Sequence, residues 1–352
     1  MLLEFSGYYS NRLSYKEVEV LIERVTGKRQ LSDEKIQQVV VEKALEVSKL
    51  QENEMETHKE GQELKMPKVQ GEVNIYDPDE KEVLLFDDGI QVKKQKANRK
   101  KKGQSKPEEP VKSKRSKVNT DVVMLEKKDG DFEYIIGGID EEGKERVAFE
   151  EIVKEEIIKE YGQEKGPLKV VAITDGAKDI RTRLLAIFGI VVTIILDWYH
   201  LCKKVRELMS MIGRNKEEKL SHMKKLYYYL WRDMADEAID YLKKEVVAKN
   251  KQKLTELITY LEKHKAEIID YGSRQKAGKT IGSGRMEKGV DQVIGYRQKK
   301  KGMSWSKKGS KSLGILKVAE LNNRWKEIWF SEDAASNSED YSSSHLPLAV
   351  NY

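Results

Sequence analysis

At 352 residues, with 36% charged and 38% hydrophobic side chains, the chain has room for a catalytic core plus accessory pieces but is less apolar than most globular proteins. A single cysteine, Cys202, excludes an intrachain disulfide and fits a reducing compartment; no segment has the form of a secretion signal or a membrane span. The net charge of +6 is modest but blocky, so local balance matters more than the sum, and a soluble intracellular protein is expected.

Residues 1–70 read as a helical region. Ser14 caps YKEVEVLIERVTG, where Val18, Leu21, Ile22 and Val25 recur at helical spacing and Gly27 offers a stop. A second helix opens near Leu31–Glu34 with Ile36, Val39, Val40 and Ala44 on one face. Two helices joined by a short basic turn form either a DNA-reading helix-turn-helix or a helical hairpin packed on the core. From Glu52 to Gln70 the polar composition reads as a linker or a frayed helix end.

A first part of an α/β core is expected over 75–202. The apolar run Val83–Phe86 meets Asp87-Asp88-Gly89 and resumes at Ile90 and Val92, so the strand continues through the carboxylates rather than reversing at them. Two carboxylates directly after a buried run cost desolvation unless a cation neutralises them. The segment 93–117 holds a dozen Lys and Arg against two Glu, with no aromatic residue; it reads as a disordered loop whose cations either stay solvated or contact DNA phosphates. Residues 121–128 and 132–139 form a hairpin around Asp129-Gly130, and 147–162 an amphipathic helix.

The stretch 168–208 organises the rest. An apolar run ends at Asp175-Gly176, a short helix follows, a second apolar run ends at Asp197, and a helix opens at Trp198-Tyr199-His200. This is the pattern of a parallel β-α-β unit, which places reactive groups at the carboxyl ends of its strands. Cys202, beside an apolar face, reads as a packed thiol. One Cys and five His give no four-ligand zinc set.

Residues 203–275 read as an all-α block, and 276–330 as the closing helices. Glu287 follows Gly282-Ser283-Gly284 in the first turn of one of them, where a capping box is the alternative reading to a functional carboxylate. Arg297, Lys299, Lys300 and Lys301 lead to Gly302-Met303-Ser304-Trp305-Ser306; the basic residues are expected to bind DNA, and Trp305 either stacks on a base or anchors the loop. The acidic, Ser-rich 331–352 reads as a disordered tail.

In order, these are three strands, a helix, a strand, a helix and a strand, the order of a ribonuclease H-like fold. With Asp88-Gly89, Thr174-Asp175-Gly176-Ala177, Asp197-x-x-His200, an all-helical insertion and Gly282-Ser283-Gly284-x-x-Glu287, the chain resembles the Asp-Asp-Glu transposases of the Mutator-like superfamily and their bacterial insertion-sequence relatives of the ISKra-type group. The resemblance spans roughly 80–318 and includes the Arg297 and Met303–Gly309 pattern; it rests on the order and spacing of motifs, none of which is specific alone.

The resemblance implies an α/β, ribonuclease H-like mixed sheet with an all-α insertion before the final catalytic helix. It implies Asp88, Asp175 and Glu287 as catalytic carboxylates holding two Mg²⁺ (or Mn²⁺) ions, with Asp87 competing for the first place because a one-residue shift turns a side chain to the other sheet face. Asp197 and His200 match a supporting signature near the site. The implied partners are double-stranded DNA, both inverted-repeat ends and target, and a second copy in a homo-oligomer; no membrane is implied, and the location is the cytoplasm, at a prokaryotic nucleoid. The alternatives are a DNA-binding remnant without catalysis, lacking an N-terminal portion found in longer relatives, and a structure-specific nuclease.

Overall fold

The computed structural model describes residues 1–61, 65–71, 73–95, 116–300 and 302–330. Most of the basic segment 93–117, Lys301 and the tail 331–352 lie outside them. The chain is an α/β protein built on one five-stranded mixed sheet.

Three helices come first: α1 (Leu2–Ser10), α2 (Tyr15–Thr26) and α3 (Asp33–Gly61). Ser14 and Glu17 form a reciprocal capping box at the start of α2, and Gly27 stops it at φ 72°, a conformation that favours glycine. Val18, Ile22 and Ile36 close a small core between these helices, while Val40 and Ala44 join the main core. The polar stretch after Glu52 stays helical to Gly61, unlike a linker. Its carboxylates are held from outside: Arg146 Nε donates to Glu52 at 2.8 Å, Arg324 to Glu54 at 3.0 Å and Lys159 to Glu54 at 3.2 Å, and Met55 is buried beneath. Composition alone does not register such long-range ion pairs.

The strands are β1 (Val83–Lys93), β2 (Lys117–Glu126), β3 (Phe132–Ile136), β4 (Val170–Thr174) and β5 (Thr193–Leu196), in spatial order β3-β2-β1-β4-β5. The first three pair antiparallel; β1–β4 and β4–β5 pair parallel. The strand β1 runs unbroken through Asp87-Asp88-Gly89, opposite Val123, Val122 and Asp121 of β2.

Alternation along β1 sorts the two faces. Leu85 points to a core shared with α4 (Phe149–Tyr161) and α5 (Lys178–Phe188). Leu84, Phe86, Ile90 and Val92 point to the opposite, larger core. That second face is covered by α11 (Gly284–Val290) and α13 (Lys307–Leu321), with α12 (Tyr296–Gln298) between them and α14 (Trp325–Phe330) after. The segment Asp291–Gly295, between α11 and α12, winds as a π-type turn. Helix α11 approaches the sheet closely: a Cβ at Gly289 would lie 2.5 Å from the Met124 sulfur.

Between β5 and α11 stand α6 (Trp198–Ile212), α7 (Lys216–Leu230), α8 (Ala235–Lys244), α9 (Lys251–His264) and α10 (Tyr271–Lys276). Their apolar stripes, among them Val205, Met209, Leu226, Leu242 and Leu261, continue the larger core. Two buried polar anchors tie this block to the sheet. The Tyr271 hydroxyl donates to the Leu196 carbonyl at 2.7 Å, and the fully buried Arg274 donates to the Ile75 and Thr280 carbonyls and pairs with Glu82. No helix among the described residues is long and apolar enough to cross a membrane.

Candidate active site

Parity decides between the adjacent aspartates. Asp87 follows Leu85 onto the α4/α5 face and is buried there. Arg183 of α5 meets both of its oxygens, at 2.7 and 2.8 Å, reaches Asp121 at 3.1 Å, and lies over the Phe149 ring. Burial pushes Asp87 up to about 7 against the pull of this guanidinium. The cation that the sequence requires near Asp87 is therefore supplied from within, and Asp87 is a structural partner.

Asp88 follows Phe86 and Ile90 onto the other face. The last residues paired between β1 and β4 are Asp87 and Thr174, so Asp88 and Asp175 occupy the next positions on adjacent parallel strands. Strands stand about 4.8 Å apart, which brings the two carboxylates into mutual range. Asp175 is half-buried and turns one oxygen back to the Ala177 amide at 2.7 Å, fixing the loop into α5. Glu287 reaches the same region from α11. It is exposed and makes no hydrogen bond or ion pair among the described residues; its side chain does not close the capping box that its position allows. Asp88 registers all of this: burial first, then the charges of Asp175 and Glu287, push it up to about 6, while the Gly89 amide and His200 pull the other way.

Asp197 and His200 have a definite structural task. Asp197 is completely buried and caps α6, accepting the His200 amide at 2.7 Å with one oxygen. Its other oxygen accepts the amide of Ser283, in the turn that starts α11. The Trp198 amide adds a bond to the Ile281 carbonyl at 3.3 Å. The end of β5 is thus pinned to the turn that launches the helix carrying Glu287. The His200 Nδ1 lies 3.3 Å from Asp197, a charge contact too poorly aligned for a hydrogen bond. That carboxylate raises the His200 pKa, with smaller contributions from Asp175 and Asp88.

Some participants escaped the sequence reading. His264 of α9 is buried against the Asp175-Gly176 loop, where a Cβ at Gly176 would lie 2.7 Å from its ring, and its Nδ1 meets Glu267 at 2.6 Å. Glu267 pairs in turn with Arg181 of α5. Burial and the Asp175 charge raise the neighbouring Tyr260 hydroxyl. The helical block therefore forms one wall of the site. Arg183 carried a legible signal, a cation at the apolar spacing Ile180-Arg183-Leu184-Ile187; His264 carried none. Cys202 is half-buried, and burial pushes its thiol up to about 12, so it is unsuited to act as a nucleophile at neutral pH.

The basic cluster needs a correction. Arg297 and Trp305 are not surface contacts: both are buried, the guanidinium packs against the Trp305 and Tyr15 rings, and the indole N–H donates to the Gln298 carbonyl at 2.9 Å. Trp305 anchors its loop, pairing with the end of β1 through the Lys93 carbonyl and the Gln95 amide. A basic stretch reads as surface because cations are seldom buried, and here two aromatic rings provide the exception. Lys299 and Lys300 are exposed, with Lys300 reaching the Arg12 carbonyl at 3.2 Å. Lys301 lies outside the described residues.

The donor set of Asp88, Asp175 and Glu287 is all carboxylate oxygen, the chemistry that suits Mg²⁺ or Mn²⁺, and the negative charge felt by Asp88 is what a divalent cation would relieve. As the side chains stand, no three His, Cys, Asp or Glu among the described residues are drawn together tightly enough to hold an ion. Of the three, Glu287 is the one exposed to solvent. No family model, curated protein or solved structure matches the chain.

Proposed function

We propose that this chain is a DNA transposase of the Asp-Asp-Glu kind, with a ribonuclease H-like core that cleaves element ends and transfers the freed strand to target DNA. One observation carries the reading. Asp88 and Asp175, adjacent on parallel strands and on one face, are overlooked by Glu287 from the helix covering that face, with no lysine or arginine in ion-pair contact with any of the three among the described residues. The strand order β3-β2-β1-β4-β5, with only β1–β4 and β4–β5 parallel, and a helical block inserted before that helix agree with it.

In this reading the three carboxylates hold divalent cations, which, when bound, polarise the scissile phosphate and lower the pKa of the attacking hydroxyl. The remaining work belongs to the chain. The buried Asp197 fixes the Ser283 turn and hence the reach of Glu287. His200, its pKa raised beside Asp197, lies within electrostatic reach of Asp88 and Asp175, at a cleft that has to accept a polyanion. His264 and Glu267 brace the loop that presents Asp175.

A DNA-binding protein without catalysis is the second reading, and the looseness of the carboxylate cluster favours it. A cleavage assay on inverted-repeat ends with Mg²⁺ or Mn²⁺, run beside a gel shift, separates the two. Asp88→Ala, Asp175→Ala and Glu287→Ala should each abolish cleavage and leave end binding within a few-fold of the parent. Full activity in any of them removes that residue from the site; binding without nicking in the parent protein favours the second reading.

A further inference from the structure

Adjacent lysines of α6 are treated differently by the fold. Lys204 is paired with Glu256 of α9 at 3.0 Å, and Lys243, Lys244, Lys253 and Lys265 of the same helical block also have carboxylate partners. Lys203 has neither an ion pair nor a hydrogen bond among the described residues, and Arg206 has no carboxylate within ion-pair distance there. Cations in line on one helix face, without internal partners, form the electrostatic footprint of a polyanion.

The two share their face with Tyr199. Positions 199, 203, 206 and 210 recur at helical spacing, and all four are exposed. At the far end, roughly 16 Å along the axis, Lys219 of α7 donates to the Ser210 hydroxyl at 2.6 Å and brings a third cation to this face. The one acid of α6, Glu207, is set roughly 80° round from Tyr199 and lies within ion-pair distance of none of the three.

The near end of the face is the carboxylate cleft. The Tyr199 ring stands edge-to-face with the His200 ring, centroids 5.7 Å apart, and His200 feels both Asp175 and Asp88. Trp198 packs against Tyr227, Trp231 and Tyr271, whereas Tyr199 joins no core and is 52% exposed. An open ring followed by a line of cations is the combination that holds single strands, because the ring stacks on a base and the cations track the phosphates. A base inside a duplex keeps its faces against its neighbours and offers none to a ring.

We propose that this face of α6 takes a single strand of DNA leaving the carboxylate cleft, with a base stacked on Tyr199 and phosphates on Lys203, Arg206 and Lys219. The ligand is chosen on the transposase reading; the test needs no cleavage.

Fluorescence anisotropy of the full chain with a labelled oligothymidylate of about 12 nucleotides, in EDTA, tests the proposal. Tyr199→Ala should weaken binding by at least about fivefold, and Tyr199→Phe should bind like the parent, since the ring rather than the hydroxyl stacks. On a duplex of the same length Tyr199→Ala should bind like the parent. Lys203→Gln combined with Arg206→Gln should lower the slope of log affinity against log salt by about 1.4. Lys243→Gln combined with Lys244→Gln, the same charge change on the paired side of the block, should leave that slope unchanged. All these side chains are exposed, so each variant should melt with the parent. Parental single-strand affinity in Tyr199→Ala, equal weakening on strand and duplex, equal slopes in the two double variants, or no binding by the parent overturns the proposal. Single-strand binding that depends on Tyr199, in a parent that never nicks element ends, keeps the strand-binding face and removes the transposase reading. Cleavage by the parent with unchanged strand binding in the variants does the reverse.

Discussion

Asp87 and Asp88 are neighbours in one strand and meet opposite fates. On the α4/α5 face, Asp87 is buried and gripped through both oxygens by Arg183. On the α11 face, Asp88 stands among other carboxylates, with His200 as the one positive charge acting on it among the described residues. The first face solves its charge internally and is finished as architecture. Among the described residues, the second leaves negative charge uncompensated at strand ends, a state that makes physical sense where a cation arrives from solution.

Breaking the internal pair should have the largest effect on stability. Asp87→Ala leaves Arg183 buried with Asp121 as its remaining close partner, and a loss of about 3 kcal/mol is expected in urea unfolding, the low end for a broken buried pair because that partner remains. Asp88→Ala, by contrast, should be neutral or stabilising in metal-free buffer. Equal destabilisation by the two substitutions would erase the distinction between the faces.

Next is the brace of the open face. Asp197→Asn keeps one acceptor but turns an amide N–H toward either the Ser283 or the His200 amide. Supporting contacts of this kind typically change activity by about 10–100-fold. Cleavage should fall by that amount while unfolding stays cooperative and near-UV circular dichroism is unchanged. Parental cleavage would show that the turn holds its position without Asp197.

The smallest effect is on pH dependence. Asp88 is raised from 3.8 to about 6 in the folded chain. A carboxyl raised on folding stabilises the fold fully below its unfolded pKa, and that contribution disappears as pH rises through the folded value. Without divalent cations, the parent should therefore lose roughly 1–2 kcal/mol relative to Asp88→Asn between about pH 4 and 6, after discounting for partial exposure. Parallel stability curves for the two proteins would refute the upward shift that burial and the neighbouring carboxylates impose on Asp88.

Much of this arrangement is legible in the sequence, for identifiable reasons. An apolar run that continues past Asp87-Asp88-Gly89 places both residues in one strand, and period-two alternation then puts them on opposite faces. The strand-end position of Asp175 and the Gly282-Ser283-Gly284 turn before Glu287 are local patterns, and local patterns survive in sequence. Partner identity does not. Periodicity shows that Arg183 lies on a buried stripe but not that Asp87 is its partner; the bond from Ser283 to Asp197 spans 86 residues, and His264 reaches Gly176 from a separate helical block. Arg297 was misplaced at the surface for the same reason, since the rings of Tyr15 and Trp305 that shelter the guanidinium are joined only by folding, whereas Trp305 takes the loop-anchoring alternative of its two readings.

The central claim is that the open face is a divalent-cation site made by Asp88, Asp175 and Glu287. Its most direct test is thermal unfolding of the full chain against Mg²⁺ or Mn²⁺ concentration, in the parent and in Asp88→Asn, Asp175→Asn and Glu287→Gln. A cation that binds only the folded state raises its stability by RT ln(1 + [L]/Kd), about 2.7 kcal/mol at a hundredfold excess over Kd. The account predicts a saturable rise in the parent that each of the three substitutions reduces or removes. An identical response in all four proteins, or none in the parent, would contradict it.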